Sequence, residues 1–292
     1  MDQLMPKFDI LLCAFPYRNS ECPSVGRWLG ELKVKLRQDA RIDRILSADF
    51  DDTPITMTRN LAIETAKQQK VDLVLFVDDD MKPDGYMDRP MAKPFWDSSF
   101  DFMLNHQGPC IVAAPYCGPP PEENVYIFKI TKKQSGNPNV DVAFSMFPRE
   151  EAASRSGFEE VIALPTGLML IDMRAIEKMK PPYFDYEWAD PPFNTRKAST
   201  EDVYFTRNAA LAGIKVFCNW YSWAGHWKYK CVGPPIVATP DMIREEYREA
   251  VAKNNLMSNQ SLLMVKSTLP KPVEQVNGNP TPSWAPRNAS EE

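Results

Sequence analysis

Three consecutive carboxylates, Asp78, Asp79 and Asp80, close an apolar run, Val71 to Val77 (VDLVLFV). Anions a few ångströms apart repel one another, and beside a protein interior that repulsion is costly unless a proton or a cation offsets it. A divalent ion is the obvious remedy. In a strand or a tight turn, residues i and i+2 can approach one ion together, so Asp78 and Asp80 are the expected ligand pair, with Asp79 turned elsewhere. Hard ions such as Mg²⁺ or Mn²⁺ take such oxygens and fill their other positions with water and substrate phosphate. His226 is a candidate further ligand: it is one of two histidines, with His106, and sits in the aromatic stretch Trp220 to Trp227. The competing reading of Asp78 to Gly85 (DDDMKPDG) is a solvated turn, because Asp, Pro and Gly are common turn residues.

The elements that must position these groups follow from hydrophobic pattern. Phe8 to Phe15 is nearly all apolar, as in a strand covered on both faces. Trp28, Leu29, Leu32 and Leu36 recur at helical spacing, and Ile42 to Ala48 reads as the next strand. Thr58 to Lys70 reads as a helix capped by Thr58, with Leu61, Ala62, Thr65 and Ala66 on one face. The apolar run before Asp78 is then a further strand. Strand, helix and strand at this spacing predict an α/β fold: a mixed, mostly parallel sheet flanked by helices, with ligands at the carboxyl ends of the strands. Cys110 to Pro115 adds another buried strand. Val125 to Ile130 and Val140 to Phe147 alternate and predict a small antiparallel extension. Val161 to Leu164 and Leu168 to Asp172 are short strands around Pro165-Thr166-Gly167, followed by a helix near Arg174 to Met179. Ser199 and Thr200 cap a predicted helix whose first turn carries Glu201 and Asp202 and which ends at Gly213. Ile214 to Cys218 is a strand, and a last helix begins at Pro240 and runs to about Asn254. Residues 1–265 are expected to form one domain. Residues 266–292, with five prolines among polar residues, are expected to be an extended or disordered tail.

In their order, these segments resemble the GT-A fold glycosyltransferases that use nucleotide sugars. The resembling parts are Thr58-Arg59-Asn60-Leu61-Ala62, the acidic strand end, Thr166-Gly167-Leu168-Met169-Leu170, Thr200-Glu201-Asp202-Val203 and Gly225-His226. The resemblance implies a D-x-D motif at Asp78 and Asp80 whose metal bridges the donor diphosphate, completed by His226. It also implies a donor-sugar contact at Thr166 and Gly167, and an acidic helix start near the acceptor. Arg59 and Asn60 belong to the donor-binding half, with Asp79. Arg18, Arg59 and Lys228 are candidate partners of donor phosphates, Arg through paired hydrogen bonds. Glu201 and Asp202 are either first-turn charges favoured by the helix dipole or catalytic carboxylates. In an inverting transfer Asp202 is the expected acceptor of the hydroxyl proton, whereas in a retaining one it positions substrate. The donor is expected to be a nucleoside-diphosphate sugar, most commonly of uridine.

Composition excludes other classes. With 34 Lys+Arg against 39 Asp+Glu the net charge is −5, so no global positive field gathers nucleic acid or anionic membrane. The sequence lacks G-x-G-x-x-G, G-x-x-x-x-G-K-[ST] and G-x-S-x-G, which argues against dinucleotide oxidoreductases, P-loop enzymes and elbow-type serine hydrolases. No run of membrane-spanning length and no secretory layout at the start predict a soluble intracellular protein. Six cysteines without C-x-x-C spacing are expected to be reduced, several of them buried. The acceptor is open: a glycan, a protein, or a hydroxylated DNA base if Lys129, Lys132, Lys133, Arg196 and Lys197 line a local basic surface. The competing functions are a metal-dependent nucleotidyltransferase or nuclease, and a nucleotide-sugar-binding module without turnover.

Overall fold

The computed structural model describes residues 6–16, 23–51, 54–118, 123–131, 143–188, 197–227 and 231–232. The elements run β1 (Phe8–Phe15), α1 (Pro23–Gln38), β2 (Ile42–Asp49), α2 (Ile55–Gln69), β3 (Leu73–Asp78), β4 (Met81–Lys82), α3 (Phe95–Asn105), β5 (Cys110–Ala113), β6 (Val125–Thr131) and β7 (Ala143–Phe147). They continue with α4 (Arg149–Ala153), β8 (Phe158–Val161), β9 (Leu168–Asp172), α5 (Met173–Ile176), β10 (Glu187–Trp188), β11 (Lys197–Ser199), α6 (Glu201–Leu211), β12 (Lys215–Asn219), β13 (Gly225–Trp227) and β14 (Cys231–Val232).

The main sheet has seven strands in the order β2-β1-β3-β9-β5-β12-β8. β1, β2 and β3 are mutually parallel, β5 and β12 run the same way, and β9 and β8 run against them. This is the expected mixed, mostly parallel arrangement, with helices on both faces. Strand alternation sorts the core into two layers. Ile10, Leu12 and Ala14 of β1, with Leu73, Leu75 and Val77 of β3, pack on Leu29, Leu32 and Leu36 of α1 and Trp96 and Phe100 of α3. Leu11, Cys13 and Phe15, with Val74 and Phe76, pack on Ala62, Ile63 and Ala66 of α2 and Phe205 and Ala209 of α6. Strands buried on both faces need the continuous apolar runs the sequence carries. The antiparallel extension is the β6–β7 hairpin. Cys13, Cys110, Cys117 and Cys218 are buried free thiols, and burial raises the pKa of Cys110 and Cys117 to about 12.

Several boundaries differ from the expectations. Thr58 is not a cap: the helix begins at Ile55 behind Pro54, and the Thr58 hydroxyl donates to the Pro54 carbonyl from within the first turn. α3 and the short β4 fall in the Pro-, Asp- and Met-rich segment that carries no clear periodicity. The strand expected at Val161 to Leu164 lies three residues earlier, at Phe158–Val161, paired antiparallel to β12. The helix near Arg174 is a single turn, Met173–Ile176, with the Asp172 side chain accepting from the Arg174 amide. The expected helix from Pro240 and the tail lie outside the described residues. Among the described residues no helix is long and apolar enough to cross a membrane.

Candidate functional site

Because β1, β3, β5 and β12 point the same way, their carboxyl ends share one edge, and the antiparallel β9 brings its amino end there too. Asp78 is the last residue of β3, opposite Phe15 of β1, and its amide donates to the Gly167 carbonyl at 2.9 Å. The strand end therefore joins Thr166-Gly167 at the lip of the sheet. Thr166 is buried, and a Cβ on Gly167 would lie 2.9 Å from Met81 Sδ, 2.9 Å from the Tyr116 hydroxyl and 3.0 Å from Tyr116 Cε1. Only a residue without a side chain fits between them. Gly167→Ala is expected to lower unfolding free energy by about 1–3 kcal/mol in urea titration, the usual cost of overpacking a closed site.

Arg59, in the second turn of α2, crosses beneath this edge. Its guanidinium donates through Nη2 to both oxygens of Asp78 at 2.9 Å each and through Nη1 to Glu201 Oε1 at 2.8 Å. The residue is only 3% exposed and lies between the rings of Phe15 and Phe184, while its Nε has no partner. Burial works against its charge, but Asp78 and Glu201 outweigh burial and push its pKa up. The pKa of Glu201 is raised, first by burial and then by neighbouring Asp202, against the opposing pull of Arg59. Arg59, expected among the partners of donor phosphate at the sheet's carboxyl edge, is here a buried guanidinium engaged by two carboxylates. Asn60, half-buried, is engaged by backbone: its amide donates to the Thr56 and Phe184 carbonyls, and its oxygen accepts from the Tyr183 and Phe184 amides.

Of the expected Asp78 and Asp80 pair, Asp78 accepts from Arg59 through both carboxylate oxygens. Asp79 and Asp80 form the turn into β4. β4 pairs antiparallel with β13, His226 opposite Met81, and the Trp227 amide donates to the Asp80 carbonyl. That ladder brings Asp80 Oδ2 to 3.2 Å from His226 Nε2. His226 Nδ1 lies 3.0 Å from the Cys117 carbonyl, and Tyr116 meets the imidazole edge-on at 4.9 Å. A carbonyl can only accept, so Nδ1 carries the hydrogen. In the neutral imidazole, Nε2 therefore presents a lone pair to a carboxylate oxygen. Two lone pairs at that distance repel unless a proton or a cation shares them. Donation of the second ring nitrogen to a backbone carbonyl is also how metal-ligating histidines are held. Among the described residues no group of three or more His, Cys, Asp or Glu side chains gathers as a metal cage.

Asp202 stands in the first turn of α6, half-buried, its Oδ1 accepting from the Thr200 hydroxyl. Thr200 is the N-cap residue but makes no capping bond with its side chain, and the Ser199 hydroxyl donates to Glu187 instead. Tyr116 is buried among these groups; burial first, and then the carboxylates of Asp78 and Asp202, hold its phenol well above the ordinary range. Tyr116 was not anticipated as a site residue, and only its nearness to Gly167 and His226 in space marks it. Arg18 and Lys228 lie outside the described residues, as do Lys132, Lys133 and Arg196 of the basic surface considered for DNA. Of its other members, Lys129 is paired with Glu151 and Lys197 sits over the Tyr186 ring. A cleft at the opposite edge of the sheet is lined by Asp72, His106 and Glu177, with Arg174 closed on Asp172 and Lys67 on Glu64.

No protein-family model and no curated protein matches the chain. Among solved structures the chain is similar to A197 from STIV, at 14% identity and a TM-score of 0.48 over 81% of this chain and 100% of that one. It is similar to GalNAc-T7, crystallised with UDP, GalNAc and Mn²⁺, at 8% identity and a TM-score of 0.40, covering 75% of this chain and 44% of that one. It is also similar to a glycosyltransferase involved in glycosylation of the major capsid of PBCV-1, at 12% identity and a TM-score of 0.27, over 60% of this chain and 68% of that one. At TM-scores this low, the chemistry of this chain is read from its own side chains.

Proposed function

We propose that the chain is a metal-dependent glycosyltransferase that moves a sugar from a nucleoside-diphosphate donor to an acceptor hydroxyl. The observation that carries this reading is the Asp80 carboxylate lying 3.2 Å from His226 Nε2 at the carboxyl edge of the sheet, with the ring held through Nδ1 by the Cys117 carbonyl. A carboxylate oxygen and an imidazole nitrogen this close could both reach one divalent ion. Asp80 and His226 would hold Mn²⁺ or Mg²⁺, with donor phosphates and water completing the sphere. When bound, such an ion would supply positive charge against the departing diphosphate. Thr166 and Gly167, buried beneath Met81 and Tyr116, set the lip of the sheet beside which the donor sugar would lie, with Asp79 in the turn next to it. Arg18 and Lys228 remain candidates for phosphate contacts.

The protein's own part in the chemistry is to orient groups and move one proton. In an inverting transfer, the acceptor oxygen bonds the anomeric carbon as the bond from that carbon to the phosphate oxygen breaks, and Asp202 takes the hydroxyl proton. The Thr200 hydroxyl steadies the Asp202 oxygen it donates to. Arg59 fixes Asp78 and Glu201, and through the Asp78 to Gly167 bond it fixes that lip as well.

A panel of nucleotide sugars, incubated with Mn²⁺ and then with chelator, tests the reading. Expected is release of nucleoside diphosphate from one donor with Mn²⁺ and its loss on chelation, because enzymes competent for transfer leak some hydrolysis. No release from any donor, or incorporation of nucleotide into nucleic acid instead, would overturn it.

A further inference from the structure

Beside the proposed base, β10 and β11 form a short antiparallel ladder with Glu187 opposite Ser199 and Trp188 opposite Lys197. That register puts Tyr186 level with Thr200, at the start of α6, where Glu201 and Asp202 stand. Strand side chains alternate, so Tyr186 and Trp188 share one face and Glu187 takes the other. The contacts agree: the two rings lie 6.3 Å apart at 62°. Glu187 meanwhile receives both guanidinium nitrogens of Arg207 at 2.6 Å and the Ser199 hydroxyl at 2.8 Å. This fork ties the ladder to α6 about one and a half turns from Asp202. Lys197 covers the Tyr186 ring at 3.9 Å. Trp188, in contrast, is 39% exposed. An indole open to solvent, on the ladder whose Tyr186 feels the charges of Glu201 and Asp202, offers a flat apolar face one ring away from those hydrogen-bond acceptors.

We propose that this ladder is the acceptor subsite, and that its ligand is a neutral saccharide whose ring stacks on Trp188 while its hydroxyls donate to Glu201 and Asp202. The identification of the acceptor rests on the transfer reading above. A pyranose has an apolar C–H face suited to an aromatic ring and a rim of hydroxyl donors suited to carboxylates. A phosphate or sulfate in the same place would meet Glu201 and Asp202 as like charges. A single-stranded nucleic acid would also stack, but would carry its phosphates toward the same acids, and Lys197, the one cation among the ladder's described residues, is already engaged on Tyr186.

The test measures binding of the full chain, with Mn²⁺ and UDP present, to immobilised neutral oligosaccharides of glucose, galactose, mannose, xylose and N-acetylglucosamine. Sulfated counterparts and a single-stranded oligonucleotide form the other arms, and UDP binding in Mn²⁺ is measured on the same samples. Expected is binding of at least one neutral oligosaccharide, weakened about tenfold or more by Trp188→Ala and within about threefold of wild type in Trp188→Phe. Leu211→Ala, at an exposed position near the far end of α6, should bind as wild type. Circular dichroism melts report whether each variant is folded. If wild type binds UDP but no neutral saccharide, binds only the sulfated or nucleic-acid arm, or is indifferent to Trp188→Ala, the subsite is wrong and the transfer reading survives. Binding that depends on Trp188, in a protein that binds no nucleoside diphosphate with Mn²⁺ and releases none from the donor panel, would uphold the saccharide site and remove the transferase.

Discussion

Asp80→Asn is expected to lower Mn²⁺-dependent release of nucleoside diphosphate by on the order of 10³-fold, because it removes the charged ligand from the ion that offsets the leaving group. Asparagine has nearly the same shape and keeps one oxygen, so the loss reads charge and ligand strength rather than packing. The Asp80 side chain is 30% exposed, and its backbone carbonyl still accepts from the Trp227 amide. Unfolding free energy should therefore stay within about 1 kcal/mol of wild type, the scale of a partly exposed ion pair. His226→Gln should fall by a similar factor in rate while costing more stability, since it also abandons the Cys117 carbonyl in a buried place. The double variant should be little slower than the worse single one, because both side chains serve one ion and their effects are not additive. Mn²⁺ affinity, read by electron paramagnetic resonance in the presence of UDP, should fall in each. If Asp80→Asn retains more than about a tenth of the metal-dependent rate, the ion is not held there.

How much of this was legible beforehand depends on range. β1, β3, β5 and β9 were readable because strands buried on both faces must be apolar along their whole length, and α1 because its apolar residues recur at helical spacing. The acidic strand end was readable from the run of like charges at Asp78 to Asp80. Less visible was which aspartate does what. Asp78 and Asp80 look equivalent in sequence, and only the reach of Arg59 from another helix separates them. β4 is two residues long and has no periodicity to detect, yet its pairing with β13 is what delivers His226 to Asp80. α3 was hidden for another reason: it starts behind Pro94, and its first amide is satisfied by Asp84, eleven positions earlier, rather than by an adjacent cap. The aromatic stretch around His226 was noticed, but it divides into buried wall, Trp220 and Trp223, and the half-exposed Trp227. Trp188 was not singled out, because a lone tryptophan between charged residues carries no pattern until the register of β10 and β11 sets it beside α6.

Replacing Arg59 should be the most damaging change to stability. Arg59→Met keeps much of the side chain's volume and its contact with Phe15 and Phe184 but leaves Asp78, Glu201 and nearby Asp202 without their cation. Breaking a buried pair from one side costs about 3–5 kcal/mol, because the remaining charge stays desolvated and unpaired. Asp78 and Glu201 keep 21% and 15% side-chain exposure, so water relieves part of this and the lower end of that range is expected. Arg59→Lys should be intermediate: a single ammonium cannot donate to both Asp78 oxygens and to Glu201 from one position. The decisive comparison is Arg59→Met combined with Asp78→Asn and Glu201→Gln, which removes the stranded charges as well as the cation. If the cost lies in uncompensated charge, the triple variant regains most of the stability lost by Arg59→Met in urea titration, although its turnover stays low because Asp78 no longer braces the Gly167 lip as an anion held by arginine. A triple variant as unstable as the single one would mean that Arg59 acts by filling space between Phe15 and Phe184, and that the charge network contributes little to holding the strand end in place.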